Sequence, residues 1–456
     1  MSFRSNLRKK YIFFMIITLL ITVFIGGGSS RHDVPSLIVL RPLSIIFCLI
    51  GLWSLTREHV RDYQGLFLIF AGAIILIVTH LVPLPPPIWS CLPGRKIIAD
   101  VDAASGIVDA WRPISMVPAM TVNALYALAT PLAALILLVQ LNGSSRVLLA
   151  ELFVAFGLVS LLLGVAQITG GTGIPTALFA YADDGSPIGF FANRNHQAVF
   201  LSCLFPLIAL AVFNDRRRNH RSIRVGVAGF LAALMIMLVL VAGSRAGLVT
   251  AAVGLASGVW IASTSLRAHS RSLSPHQLQK WVTAGGGALV ILIGLAMIFS
   301  RAEAVQRLLG GAGDDLRFSF WGPVASAIGT YFPVGSGVGT FADVYKIGEP
   351  NALLSPLYLN HAHNEALEIL LTGGAPGALL LAIACIGGVW AVGKALLLKT
   401  GDADRRNERR AGAAIVTMLG FASLVDYPLR VPSLSVVAIF AGVLLVGTAV
   451  KPQKDQ

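Results

Sequence analysis

Apolar runs of about twenty residues recur along most of this 456-residue chain. A run of that length, folded as an α-helix, spans the roughly 30 Å hydrocarbon core of a bilayer. Charged residues make up 12% of the chain, whereas they make up about 25% of an average soluble domain. The sequence therefore predicts an all-α polytopic membrane protein and excludes a soluble globular domain.

The positions of these runs predict about twelve transmembrane helices. The predicted spans are 11–28, 36–55, 64–83, 121–141, 147–169, 196–213, 222–242, 245–263, 282–299, 373–397, 411–425 and 431–450. The first run imitates a signal peptide, but it lacks a clear cleavage site and is interpreted as an uncleaved anchor. We divide the chain into N-terminal helices and their outer loops over 1–189, a membrane domain over 190–450, and a cytoplasmic tail over 451–456.

Lysine and arginine residues are distributed unevenly between the two sets of alternating connecting segments. The set that includes both termini holds about twice as many of these residues as the other set. Because cytoplasmic loops are enriched in lysine and arginine, both termini are predicted to be cytoplasmic. The large polar segment 300–361 is then predicted to face the periplasm. The net charge of +13 reflects this topology and does not indicate nucleic-acid binding.

Two histidines lie at the end of that polar segment, just before the chain re-enters the membrane. His361 and His363 flank one alanine, and Asn364 and Glu365 follow directly. Histidine titrates near neutral pH and can accept a proton from a hydroxyl, so acid–base chemistry is the favoured interpretation. Asn364 and Glu365 are candidates for orienting the ring. Two alternatives stay open, a metal site of alternating histidines and a solvated pair of loop histidines.

Two arginines lie at positions where a charge is costly. Arg245 stands in the short hairpin 243–247 between two predicted spans, and Arg41 lies inside the second span. An unpaired arginine at membrane depth is destabilising by roughly 3 kcal/mol. The planar guanidinium suits a phosphate group, so both residues are candidate anion-binding residues. The alternatives are a snorkelling side chain for Arg245 and an ion pair with another span for Arg41.

Three further arginines lie in segments that are predicted to face outward. Arg194 and Asn195 open the sixth span, where Asn195 can cap the helix and the helix N-terminus favours a phosphate. Arg317 stands among phenylalanine and tryptophan residues, a pattern that also fits an interfacial amphipathic helix. Arg430 closes the last outward turn, where a local ion pair with Asp426 is the alternative interpretation.

The glycine-rich segment 335–339 does not indicate a nucleotide site. A dinucleotide-binding loop follows a strand and opens a helix, and neither element is predicted beside this segment. Nucleotides are also scarce outside the cell, where the segment 300–361 is predicted to lie. We predict a tight turn here.

In chain order, several of these segments resemble the O-antigen ligase and polymerase family of bacterial inner-membrane glycan transferases. The matching segments are 191–196, 243–247, 317–321 with 333–339, 361–365 and 426–430. The resemblance covers roughly residues 190 to 435. The first five predicted spans carry no motif of this family and resemble it only because they are membrane spans.

The resemblance implies a GT-C-like membrane glycosyltransferase fold with one large periplasmic loop. It implies a donor glycan on undecaprenyl pyrophosphate and an acceptor hydroxyl on lipid A-core, on another glycan or on a protein. No nucleotide sugar, cofactor or obligatory metal is expected. In the family, outer-face arginines handle the pyrophosphate and a loop histidine is linked to catalysis. By motif match these roles fall on Arg245 and His363, and less directly on Arg194 and Arg317.

Polymerase and ligase functions both stay open, and protein O-oligosaccharyl transfer is a further alternative. The competing class is a transporter or flippase for lipid-linked sugars, which would also need outward-facing arginines. A flippase would not need a histidine on a periplasmic loop, and no pseudo-symmetry between halves is visible in the sequence. The expected partners are the lipid-linked donor, a glycan or lipid A-core acceptor, the bilayer of the bacterial inner membrane, and other polysaccharide export and assembly proteins.

Overall fold

The computed structural model describes residues 2–169, 178–179, 186–213, 221–269, 316–355, 358–397 and 402–447. Helices dominate these ranges. The helices before residue 170 are α1 (Ser2–Gly26), α2 (Leu37–Ser54), α3 (Arg57–Asp62), α4 (Gln64–Thr79), α5 (Pro86–Trp89), α6 (Lys96–Ala104), α7 (Pro118–Ala127), α8 (Ala129–Leu138) and α9 (Gly143–Thr169). The helices after residue 185 are α10 (Arg194–Val212), α11 (Arg221–Ala242), α12 (Arg245–His269), α13 (Leu316–Tyr331), α14 (Phe341–Ile347), α15 (Glu365–Leu397), α16 (Ala403–Ala422) and α17 (Pro432–Val446).

Short elements connect some of these helices. Strands β1 (Pro83–Leu84) and β2 (Arg112–Pro113) pair in antiparallel fashion, and 3₁₀ turns lie at Asn351–Leu353 and Pro428–Arg430. Local sequence explains several helix starts. Asp402 accepts a hydrogen bond from Asp404 N and caps α16, and Pro432 stands at the first position of α17. Proline is favoured there because the first helical N–H has no partner within the helix.

Seven helical stretches in the described ranges are long and apolar enough to cross a membrane. They are Leu37–Ser54, Pro118–Leu138, Gly143–Thr169, Arg194–Val212, Ile223–Ala242, Arg245–Ser265 and Glu365–Leu397. Shorter apolar helices lie at Lys10–Gly26, Gln64–Thr79 and Pro432–Val446. The predicted all-α membrane class is confirmed, whereas the number of twelve spans stays a prediction. The predicted span 282–299 lies outside the described residues, and α16 begins with a charged segment before its apolar half.

Helix α10 lies at the centre of the described bundle, with all its residues from 195 to 212 buried. Helix α12 packs along it through glycines. A Cβ atom on Gly254 would lie 2.4 Å from the carbonyl oxygen of Ser202, so no larger residue fits without a shift of the backbone. Small residues allow such a close approach of two helices inside a membrane.

The contacts between α10 and α12 also set the relative direction of the two helices. Near the start of α12, a Cβ on Gly247 would lie 2.5 Å from Ala198 Cβ. One turn later Thr250 Oγ1 donates to Ser202 Oγ over 3.1 Å. The contacts advance together along both chains, so the helices are parallel and begin at the same end of the bundle.

The predicted tight turn at 335–339 is confirmed, because Gly335, Gly337 and Gly339 all have positive φ angles. The turn packs against a kink in α15 at Gly374, which has φ 61° and ψ −154°. Ser336 N donates to the carbonyl oxygen of Leu371 over 2.9 Å. This packing fixes the first turns of α15 relative to the segment that precedes them.

Candidate active site

Three segments that are distant in the sequence meet at one end of the bundle. They are the start of α10, the segment 361–365 that leads into α15, and the turn 426–430 between α16 and α17. Asn195 Nδ2 donates to Asp426 Oδ2 over 3.1 Å, and Glu365 N donates to Ser423 O over 3.0 Å. The turn 426–430 is therefore hydrogen-bonded directly to the start of α10. The segment 361–365 is hydrogen-bonded to Ser423, which lies just before this turn.

Asp426 lies at the centre of this arrangement and is only 2% exposed. One carboxylate oxygen accepts a hydrogen bond from Tyr427 N over 2.9 Å, and the other accepts from Asn195. His363 Nδ1 lies 3.3 Å and His196 Nε2 lies 3.6 Å from Asp426 Oδ1. Burial opposes the ionisation of Asp426, but the two histidine rings outweigh it and hold its pKa well below the usual value. An ionised carboxylate thus faces His363.

The backbone of His363 lies in the left-handed region, with φ of 50°. A residue with a side chain adopts this conformation at a cost of about 1 kcal/mol or more, so the surrounding contacts must impose it. The following residue supplies such contacts, because Asn364 Oδ1 accepts from Leu367 N and caps α15, while Asn364 Nδ2 donates to Leu424 O. Both hydrogen bonds measure 3.0 Å.

A second network of charges lies beside the first one. His361 Nδ1 lies 2.9 Å from Glu368 Oε1, and Ala362 N donates to the other oxygen of Glu368. Arg430 lies 3.0 Å from Glu368 Oε1 and donates to Glu365 Oε2 over 2.8 Å. Burial alone would lower the pKa of Arg430, but the two glutamates raise it by more than burial lowers it. The net pKa is above the usual value, so the guanidinium stays charged. Arg430 thus neutralises part of a buried acidic pair.

The ring of Tyr427 separates the three histidines. Its centroid lies 4.4 Å from that of His361, 4.8 Å from that of His363 and 5.1 Å from that of His196. An aromatic ring at these distances packs against each imidazole and restricts its rotation. The Tyr427 ring therefore contacts both the histidines beside Asp426 and the histidine beside Glu368.

Arg194 and Arg245 are the first residues of α10 and α12. Because these helices are parallel and begin at the same end, both arginines stand at helix N-termini on that end of the bundle. Asn193 caps α10 by accepting from Asn195 N over 2.7 Å, and Ser244 Oγ accepts from Gly247 N over 3.0 Å at the start of α12. Two helix N-termini with two arginines favour a bound anion.

Hydrogen bonds connect the segment between α1 and α2 to this end of the bundle. The carbonyl oxygen of Gly27 accepts from Ser433 N over 3.0 Å, and that of Gly28 accepts from Ala192 N over 3.0 Å. Asn360 Nδ2 donates to Ser30 Oγ over 3.1 Å. The start of α2 thus lies at the same end of the bundle as the histidines.

The structure gives several predicted site residues partners that the sequence did not indicate. Glu365, expected to orient His363, binds Arg430, and Asp426 takes the place beside His363. Arg430, expected to bind substrate, binds two glutamates rather than its neighbour Asp426. Asn195 is 6% exposed and donates to Asp426, so its amide has a structural partner besides any substrate.

Two predicted residues are not brought into this cluster by any described contact. Arg41 lies in α2, which packs on α1 and α8. Arg317 is the second residue of α13, and its side chain lies outside the described residues. The histidine metal site stays an alternative, and the described ranges hold no group of three or more His, Cys, Asp or Glu side chains that is arranged to bind a metal ion.

Sequence reasoning missed four residues of the cluster. They are Asp426, His196, Glu368 and Tyr427. Asp426 and Tyr427 belong to the segment 426–430, which resembles the family, but the sequence suggests only an ion pair with Arg430 for Asp426 and no role for Tyr427. Glu368 follows Glu365 by three residues, a spacing that places both on one helix face, and this signal could have been used. The histidine at 196 follows Asn195 directly and carries no comparable signal.

Comparison with known proteins is consistent with these features. Residues 230–382 match the family model described as O-antigen ligase. The match begins within α11 and ends within α15, so it contains Arg245 and both histidines of the segment 361–365. It covers about one third of the chain. No curated protein matches the chain.

Proposed function

We propose that this chain, of which residues 230–382 match the O-antigen ligase family model, is a member of the O-antigen ligase and polymerase family and transfers a glycan from undecaprenyl pyrophosphate to a sugar hydroxyl. The site would face the periplasm, with both termini in the cytoplasm of a bacterial cell and a GT-C-like arrangement of spans. The acceptor is a growing glycan in a polymerase or lipid A-core in a ligase. Neither a nucleotide sugar nor a metal takes part in the proposed reaction.

The observation that carries this proposal is the pairing of His363 with a buried, ionised Asp426. His363 Nδ1 lies 3.3 Å from Asp426 Oδ1, close to the carboxylate but not aligned for a hydrogen bond. The other ring nitrogen, Nε2, is left for the acceptor hydroxyl. A histidine oriented by a carboxylate in this way is a general base, and such contacts commonly tighten when substrate binds.

The proposed reaction is a direct displacement at the anomeric carbon. The acceptor oxygen forms the new glycosidic bond while His363 takes the hydroxyl proton. The bond between the anomeric carbon and the pyrophosphate oxygen breaks, and its electron pair leaves with the pyrophosphate. One such displacement inverts the anomeric centre. Asp426 stabilises the imidazolium that forms.

The leaving pyrophosphate needs positive charge beside it as the bond breaks. Arg194 and Arg245 stand at two adjacent helix N-termini, so their guanidinium groups and the backbone N–H groups supply that charge together. Fixed charges at a low-dielectric boundary stabilise a developing anion more strongly than water does. Arg317 is a further candidate contact to the glycan or pyrophosphate. The segment 300–361 is proposed to limit access of water to the site.

Surface glycans of a deletion strain test the proposal. The strain would carry wild type, Arg245→Ala or His363→Ala, with His32→Ala as control, because His32 is an exposed histidine outside the site. We expect wild type and His32→Ala to restore normal glycans and the other two variants to fail. Single repeat units on lipid A-core or on the carrier lipid would identify a polymerase. Full-length polymer on the carrier with bare lipid A-core would identify a ligase.

The same gels discriminate against the competing transporter class. A flippase moves the lipid-linked sugar without breaking the glycosidic phosphate bond, so it has no use for a general base. Normal glycans with His363→Ala and Arg245→Ala would contradict the transferase proposal and favour a transporter.

A further inference from the structure

Arg41 lies inside an apolar helix that is long enough to span a membrane. It is the fifth residue of α2, and its Nε is buried without a hydrogen bond. Within the part of the chain that the structure describes, its guanidinium makes no ion pair. A charged side chain within a membrane span is costly unless it pairs with a group of opposite charge or reaches the polar headgroups. A ligand of opposite charge would remove most of that cost.

The depth of Arg41 fits the headgroup region of the bilayer. Four residues separate it from the start of α2, a rise of about 6 Å. Side chains on a helix lean towards its N-terminus, so the guanidinium extends back towards the end of the bundle that carries the histidines. A long basic side chain commonly reaches the headgroup level in this way.

The surroundings of Arg41 are open to lipid on one side. The neighbouring residues Ile38 and Val39 are 77% and 62% exposed, and Leu49 further along the helix is 64% exposed. On the opposite side α2 packs on α8, where Ser44 Oγ and Thr130 Oγ1 are 3.0 Å apart. Arg41 is half-buried between these two faces. A molecule with hydrocarbon chains can therefore reach Arg41 from the bilayer.

We propose that Arg41 binds the phosphate of a membrane lipid, at a subsite separate from the starts of α10 and α12. Two sources offer this chemistry, the headgroup of a phospholipid and the phosphate of a polyprenyl carrier. The second source rests on the proposed function, because only a transferase of lipid-linked glycans would bind such a carrier. In that case the protein holds a carrier lipid at Arg41 while another occupies the arginines at α10 and α12.

Lipid retention by purified protein tests this proposal. Wild type, Arg41→Gln and Arg41→Lys would be reconstituted in nanodiscs that contain phosphatidylglycerol and undecaprenyl phosphate, and bound lipid would be counted by native mass spectrometry. The control is Arg31→Gln, because Arg31 lies on the adjacent segment and already pairs with Asp33 over 2.6 Å. We expect Arg41→Gln to weaken retention of one phospholipid or carrier about tenfold, the loss of one charge-assisted hydrogen bond.

The outcomes separate the two sources of phosphate. Selective loss of undecaprenyl phosphate would assign a carrier subsite, and selective loss of phosphatidylglycerol would assign a phospholipid site. Unchanged retention of both lipids in Arg41→Gln would overturn the proposal. Arg41→Lys keeps the charge and guards against misfolding of the glutamine variant. His363→Ala is expected to retain lipid normally, so failure of the transfer reaction and failure of this subsite are distinguishable.

Discussion

Asp426 holds its carboxylate between two histidine rings and an asparagine amide, in a position almost closed to water. A buried carboxylate is destabilising unless its charge is compensated. Here the compensation comes from His196, His363 and the hydrogen bonds of Asn195 and Tyr427. The same contacts that stabilise the charge also orient His363, so folding and chemistry depend on one residue.

Replacing Asp426 by Asn is therefore expected to lower transfer activity by roughly 10²- to 10⁴-fold, because the uncharged amide no longer stabilises the imidazolium. The rate of glycan transfer by purified protein measures this effect. Asp33→Asn is the control, since Asp33 is an exposed acid paired with Arg31 outside the site. Activity within twofold of wild type in Asp426→Asn would rule out a role for this carboxylate.

The low pKa of Asp426 also predicts how stability depends on pH. A carboxyl group whose pKa is lower in the folded state contributes stability that is complete above its unfolded pKa of about 4. That contribution is lost as the pH falls towards the folded-state value, which lies well below 3.8. Thermal unfolding in detergent should thus show an acid-side loss below about pH 4 that is smaller in Asp426→Asn.

At the scale of elements, the pair α10 and α12 determines where the arginines lie. The glycines of α12 allow its backbone to contact α10 closely, and the shared direction brings both N-termini to one end. Gly254 is the most restrictive of these contacts, since a Cβ there would lie 2.4 Å from a backbone oxygen.

Replacing Gly254 by Ala is expected to destabilise the protein by about 1–3 kcal/mol, because the added methyl group forces the two backbones apart. Gly229→Ala in α11 is the matched control, because nothing lies within 4 Å of a Cβ built there. The midpoint of thermal unfolding in detergent compares the two variants. Equal midpoints would contradict the close packing of α10 on α12.

The sequence predicted the helical elements well and the contacts between them poorly. Apolar runs locate spans because a bilayer demands their length, and the helices at 37–54 and 194–212 lie close to the predicted bounds. The partner of His363 could not be predicted, since Asp426 lies 63 positions further along the chain. Glu365 is the ring-orienting acid that the sequence favours, because it is near His363 in the chain. The direction of its side chain is set by the packing of α15, however, and this packing places it beside Arg430.

At the scale of the whole molecule, the site is built at one end of the helix bundle, where several connecting segments meet. Segments from both halves of the chain contribute, since the connection between α1 and α2 contacts the start of α17 and the residue before His361. The site therefore includes segments from both sides of residue 189, and the division into domains there stays a prediction.

The most direct test of the account is glycan transfer by purified protein in lipid vesicles that contain the lipid-linked donor and its acceptor. Wild type and His32→Ala are predicted to form product at similar rates. His363→Ala is predicted to be slower by about 10²-fold or more, because it lacks the general base. Product formation by His363→Ala at the wild-type rate would show that His363, held by Asp426, does not take the proton of the acceptor hydroxyl.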